Sequence, residues 1–522
     1  MLEFELTTID LITIGVYAVI VLGVGFLASR RTSTTEDYFL AGRSLTWPLI
    51  GLSLFASNIS SSTLIGLAGD AYASGISVYN YEWFAVVVLV FFLIFFLPLY
   101  LQTRIYTMPE FLERRFDVRS RFYVSSVTIV GNVLLETAGA LYAGALVVQL
   151  IYPQIPLWQS VAVLAVLSGL YTAAGGLRAV VYTDAIQAIL LFVGATAVAS
   201  LAYLKVGSWG AVTTVFSDRE LSLIQPLDDP NLPWLGLVTG LPLLGIYYWC
   251  SNQYIVQRAL GARSLDEGRY GALFAGFLKI PVLFVMVLPG IFARLLYPDL
   301  DRADMVFPTL VFDLLPAGFR GIVLVALVSA IMSSIDSTLN AVSTLVTMDF
   351  VKKLRPNLAN KKLVLVGRLA TVIVMILGVL WAPQIARFSS LWQYLQGVLA
   401  YITPPVVACF LVGIFWRRAN GTGAFAALMV GMISALLLVF AGAPLHFLYV
   451  AAVLFAVSVL TIIVVSLLTP PTISTQVDRL VWTRALLAES FKQSRSTRWY
   501  KSHVTISILL LAVTAAVVVA FA

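Results

Sequence analysis

Fourteen apolar stretches set the limits on what this chain can become. They lie at roughly 9–29, 47–73, 80–101, 120–150, 157–174, 180–205, 234–258, 270–296, 308–351, 363–383, 388–416, 422–441, 445–468 and 503–521, and each can cross about 30 Å of hydrocarbon. Backbone groups in lipid must be satisfied within their own segment, so stretches of this length are helices. The expected fold is therefore an all-α membrane protein with about 14 transmembrane helices. Composition agrees: 60% of the 522 residues are hydrophobic and only 11% are charged.

The charges orient the helices. Basic residues crowd alternate loops: Arg30, Arg31 and Arg43, then Arg104, Arg114, Arg115, Arg119 and Arg121, then Arg258, Arg263 and Arg269, and later Lys352, Lys353, Arg417, Arg418 and the 479–501 segment. The opposite loops hold few, such as Lys205, Arg219 and Arg302. That bias marks the cytoplasmic side, with both termini outside a cell (inner, cytoplasmic) membrane. It also accounts for the net charge of +7, so the partner is the lipid bilayer and not nucleic acid. A monomer or weak homo-oligomer is expected. Cys250 and Cys409 lie in apolar runs and imply no disulfide framework. His446 and His503 belong to no zinc-ligand cluster, and no phosphate-binding loop occurs, so neither zinc chemistry nor coupling to ATP is expected. The first apolar run follows an acidic segment and reads as a retained span. The segment 470–502 reads as an interfacial amphipathic helix.

Polar groups inside such spans are rare, costly and usually functional. Within 308–351 the run Ala330-Ile331-Met332-Ser333-Ser334-Ile335-Asp336-Ser337 places Ala330, Ser333, Ser334 and Ser337 on one helical face, with Asp336 beside it. Oxygen-only ligands suit a hard cation, so this face reads as half of a sodium site. A packing face of small residues is the competing reading. Two spans carry polar, glycine-containing centres: Ala56-Ser57-Asn58-Ile59-Ser60-Ser61-Ser62-Thr63 followed by Gly66 and Gly69, and Gly245 followed by Tyr247-Tyr248-Trp249-Cys250-Ser251-Asn252-Gln253. Such centres predict unwound helices that line a cavity. Five spans separate their starts, the pattern of inverted repeats with a midplane site. The whole chain then reads as one transporter domain: an extra helix at 9–29, a first repeat at 47–205, a second at 234–416, and three C-terminal helices at 422–521.

The remaining buried polar residues are few. Tyr79-Asn80-Tyr81-Glu82-Trp83 mixes stacking faces with an amide and a carboxylate, as sugar binding requires, though an interfacial aromatic belt has the same composition. Lys279 sits mid-span, where an unpaired ammonium is costly; Glu82 or a solute oxygen is its expected partner. Asp184 opens a span, as a helix cap or as part of a second cation site with Ser333, Asp336 and Ser337. Glu136 has no evident partner.

At these residues the chain resembles the sodium/solute symporter family, closest to its sodium/glucose cotransporter branch. The stretches that carry the likeness are FASNISSSTLIGLAG with YEW, TMPEFLERRF, GGLRAVVYTDAIQ, YYWCSNQYIVQRALGARS, AIMSSIDSTLNAVSTLVTMD and TPPVVACFLVGIFWRRANGTGAF. The resemblance implies a leucine-transporter-like fold with two inverted five-helix repeats, and secondary active sodium:solute symport of a sugar or polyol (hexose, inositol) by alternating access. It implies a sodium site on Ala56, Ile59, Ala330, Ser333 and Ser334, and a second on Asp184, Asp336 and Ser337 with Ser333, for one or two sodium ions as cofactor. It implies substrate contacts at Asn58, Thr63, Glu82, Tyr248, Trp249, Lys279 and Gln396, with Tyr248 as an inner gate. A sodium-coupled organic-acid or amino-acid symporter is the nearest alternative, with Lys279 pairing a carboxylate; a membrane sensor is a further one. No catalytic constellation is present, so an enzyme is not expected.

Overall fold

The computed structural model describes residues 7–29, 34–59, 61–152, 154–300, 302–388, 391–442, 444–472, 475–495 and 498–522, without the side chains of a few residues inside helices, among them Ala330 and Ser333. Among the described residues the chain is helical, with two isolated bridges in place of any strand. Among the described residues seven helices are long and apolar enough to cross a membrane, or ten if each of three sharply bent pairs counts as one span.

The bends define the architecture. The helix Trp47–Asn58 ends at Ile59, and Thr63–Ser74 leaves at 52° to it. The Thr63 hydroxyl donates to the Asn58 carbonyl at 2.8 Å, replacing a bond that the break removes. The span beginning at Trp234 breaks at Asn252, whose φ of −73° and ψ of 125° are extended, between a π-helical turn at Tyr247–Ser251 and the helix Gln253–Leu260. The Asn252 side chain accepts from the Tyr254 backbone N–H at 3.3 Å and caps the new helix. Both breaks fall in the polar centres singled out from the sequence.

Two further bends were not anticipated. Leu265–Lys279 and Leu283–Leu296 meet at 43° around Pro281, and Tyr394–Ile402 and Pro404–Phe415 meet at 49° at Pro404. Proline lacks the N–H that continues a helix, and an apolar run conceals that defect. The stretch expected as two spans, 157–174 and 180–205, is helical throughout as Leu157–Val206; Gly175-Gly176 between them carries no proline to stop a helix.

The extra N-terminal helix, Thr8–Ser29, is pinned by Asp10, whose Oδ1 accepts from the N–H groups of Gly318 and Gly321, both at 2.8 Å. Those are orphan donors at the start of Phe319–Thr344, where an acidic group is favoured. Several arginines that read as loop charges are structural. Arg115 is fully buried and donates to the carbonyls of Gly413 (2.6 Å), Trp416 (2.8 Å) and Ala419 (2.9 Å), capping the C-terminal end of Pro404–Phe415. The segment 470–502 forms the helix Arg484–Arg495.

Gly290 marks a close helix approach: a Cβ there would overlap the Ala68 carbonyl of the second span and press on Ala71. Gly290→Ala should therefore lower thermal stability by about 1–3 kcal/mol, the usual cost of overpacking. A melting curve matching the parent would show that the two helices part freely.

Candidate functional site

The broken helices line a partly open cavity. Its wall includes Asn58 and Thr63 from the second span, Tyr81, Glu82 and Phe84 from the third, Glu136 from the fourth, Gly245, Tyr248 and Trp249 from the seventh, and Trp392 and Gln396. Six of the seven residues expected to touch solute line it. The seventh, Lys279, stands behind Glu82: its Nζ is 2.5 Å from Glu82 Oε2, with both side chains buried. The ammonium also lies 5.6 Å from the Trp249 ring centroid and 5.9 Å from that of Phe55.

The partner of Lys279 is thus the protein's own carboxylate. Glu82 is held with one oxygen tied to Lys279, and Asn58 Oδ1 has no hydrogen-bond partner among the described residues. Those are the acceptors a hydroxyl-rich solute needs. Tyr81 and Trp392 meet edge to face at 5.2 Å and supply apolar faces beside them. The Tyr79-Asn80-Tyr81-Glu82-Trp83 motif divides its labour. Asn80 is tied to the Leu223 carbonyl (2.6 Å) and accepts from Trp83 Nε1 (2.6 Å), which anchors the motif, while Tyr81 and Glu82 face the cavity.

Tyr81, Trp392 and Gln396 also line an adjoining vestibule with Asp70, Pro230, Asn231, Leu232 and His446. On the opposite side Tyr248 forms the wall, its hydroxyl 2.5 Å from that of Tyr254.

The expected sodium positions lie close by. Ala56 and Ile59 are buried at the break of the second span, and Ser334 is buried on Phe319–Thr344, which packs against both halves of that span. The side chains of Ala330 and Ser333 lie outside the described residues.

At the second expected cation position an arginine stands beside Asp184 and Ser337. Asp184 is not a helix cap; it is fully buried inside Leu157–Val206. Ser53 donates to it at 2.5 Å, and the guanidinium of Arg258 stands 3.2 Å away. Arg258 also donates to Ser53 Oγ (2.8 Å), Ser337 Oγ and the Tyr254 carbonyl. Asp336 is fully buried on the same helix as Ser337. A cationic group of the protein therefore already occupies the space between Asp184 and Ser337. The sequence reading placed Arg258 among the loop charges because it ends an apolar span. Its burial follows from the extended turn at Asn252, which swings the short helix Gln253–Leu260 against the core.

A model of the sodium:solute symporter family matches residues 38–431, most of the chain. The chain belongs to that family. Among its relatives, the sodium/glucose cotransporter 4 of Danio rerio is 35% identical over 92% of this chain and 82% of its own length. The sodium/glucose cotransporter 1 of Oryctolagus cuniculus is 34% identical over 91% and 81%. The sodium/myo-inositol cotransporter 2 of the same organism is 35% identical over 91% and 78%. The solved structure of a Na+-coupled sialic acid symporter in a substrate-bound outward-open state superposes with a TM-score of 0.80 over 90% of this chain and 99% of that one, at 24% identity. The symporter fold is thus shared over nearly the whole chain. These relatives are cotransporters, and this symporter is likewise a multi-pass membrane transporter and not an enzyme.

Proposed function

We propose that this symporter imports a sugar or polyol, a hexose or inositol, driven by sodium. The observation that carries the reading is the cavity between the broken helices, where the Lys279–Glu82 pair fixes a carboxylate beside Asn58, Gln396 and aromatic rings. An organic acid fits this wall poorly, because Lys279 is engaged by Glu82 and the acidic groups on the wall are those of Glu82 and Glu136. Relatives named for glucose and myo-inositol support the same class.

Inverted repeats at 47–205 and 234–416 give the frame for alternating access in a cell membrane. Sodium binds carbonyls of Ala56, Ile59 and Ala330 and hydroxyls of Ser333 and Ser334, bridging the second span to Phe319–Thr344 and favouring the outward-facing state. Solute enters by the Asp70–His446 vestibule and docks on Glu82, Asn58 and Gln396, after which Tyr81 and Trp392 close over it. Departure of sodium inward releases the two spans, and Tyr248 moves aside. The ion shifts this equilibrium only by binding the two states unequally. Arg258 in the second cation position supports one sodium per solute. One ion moving through 100 mV supplies about 2.3 kcal/mol, and a tenfold gradient about 1.4 more, enough for roughly 500-fold accumulation.

Ser334→Ala should raise the sodium concentration for half-maximal uptake about tenfold or more while leaving folding intact. Uptake titrated against sodium in proteoliposomes measures this; an unchanged sodium curve would remove Ser334 from the ion site. Gln396→Ala should weaken solute binding without moving the sodium response.

A further inference from the structure

Two carboxyl groups line the cavity among the described residues, and of these Glu82 meets a basic side chain and Glu136 does not. Glu136 sits in the π-helical turn Asn132–Thr137, a geometry that recurs at functional sites because the extra residue redirects side chains. It lies near the Tyr254 hydroxyl, which donates to that of Tyr248 at 2.5 Å. No basic side chain engages it among the described residues: Lys279 is held by Glu82, and Arg258 by Asp184, Ser53 and Ser337. The cavity wall therefore carries one carboxyl group that no basic side chain of the protein meets. The rings of Tyr81, Phe84, Trp249 and Trp392 line the same space.

An acid in an aromatic enclosure is an arrangement that binds an ammonium: the carboxylate supplies charge and hydrogen-bond acceptors, and the rings supply their negative faces. A buried charge at membrane depth is tolerated when something of opposite sign meets it. We infer that Glu136 makes the cavity select a polyhydroxylated solute bearing a basic nitrogen, an amino sugar or amino cyclitol, whose ammonium pairs with the Glu136 carboxylate. This rests on the sugar or polyol reading above and narrows it. Glu82 and Asn58 hold the hydroxyl rim, and Glu136, on a different span, reads the substituent.

The test is equilibrium binding to the purified protein in nanodiscs with sodium present, using D-glucose, D-glucosamine and N-acetyl-D-glucosamine. Glucosamine should bind about tenfold tighter than glucose, and N-acetylation, which removes the charge, should cancel the advantage. In Glu136→Gln the glucosamine-to-glucose ratio should fall to about one. Equal affinity for the three sugars, or a ratio unchanged in Glu136→Gln, would overturn the inference. Because the N-acetyl comparison is made on the parent protein, it stands even where the variant fails to fold. Uptake of a neutral sugar driven by an inward proton gradient, and lost in Glu136→Gln, would assign a proton to this carboxylate and also overturn it. Amine-selective binding without sodium-driven uptake would keep the inference and sink the transport reading instead.

Discussion

Lys279→Met should abolish solute binding and destabilise the protein by about 3–5 kcal/mol, the cost of leaving a buried partner charge unpaired. Lys279 is fully buried and its ammonium meets Glu82 at 2.5 Å. Removing it strands a carboxylate on the cavity wall. The reciprocal change, Glu82→Gln, strands an ammonium among Phe55 and Trp249. The double variant Lys279→Met with Glu82→Gln removes both charges and should recover most of the stability, because a neutral pair of similar volume costs far less than half of an ion pair. It should not recover binding, since the fixed carboxylate is gone. Thermal unfolding in detergent reads stability, and calorimetric titration with myo-inositol or glucose reads binding. A single variant as stable as its parent would mean that the pair is not formed in the resting protein.

The second large effect is expected at Arg258. Its guanidinium joins Ser53, Asp184, Ser337 and the Tyr254 carbonyl, and so ties the second span, the helix Leu157–Val206 and Phe319–Thr344 to one short helix. Arg258→Met takes the counter-charge of Arg258 away from the fully buried Asp184, again a loss of about 3–5 kcal/mol. The double variant Arg258→Met with Asp184→Asn should fold nearly as well as the parent. Sodium should partly restore the melting temperature of Arg258→Met and not that of the double variant, because Asp184, Ser57 and Ser337 then offer oxygens to a cation. Equal sodium stabilisation of parent, single and double variants would show that the guanidinium does not hold the place of an ion.

How much of this was legible in the sequence depends on the range of the interaction. The spans follow from local hydropathy, and the breaks at Ile59 and Asn252 from polar runs in places that lipid would otherwise forbid. The Lys279–Glu82 pair was within reach because a mid-span ammonium demands a partner and few acids were available. Arg258 was missed because an arginine at a span end looks like a loop charge; only the chain reversal at Asn252 buries it. Glu136 had no assigned role because its environment is made by Tyr248 and Tyr254, more than a hundred residues away. The bends at Pro281 and Pro404 were hidden in runs whose hydropathy stays high, and hydropathy reports burial in lipid but not helix direction.

The most direct test of the transport reading is uptake of labelled myo-inositol, glucose, glucosamine, sialic acid, proline and lactate into proteoliposomes, each under an inward sodium gradient and a matched potassium gradient. The account predicts uptake of at least one sugar or polyol with sodium and none with potassium, lost in the Glu82→Gln and Lys279→Met double variant. Sodium-driven uptake confined to sialic acid, proline or lactate, or sugar uptake indifferent to the cation, would contradict it.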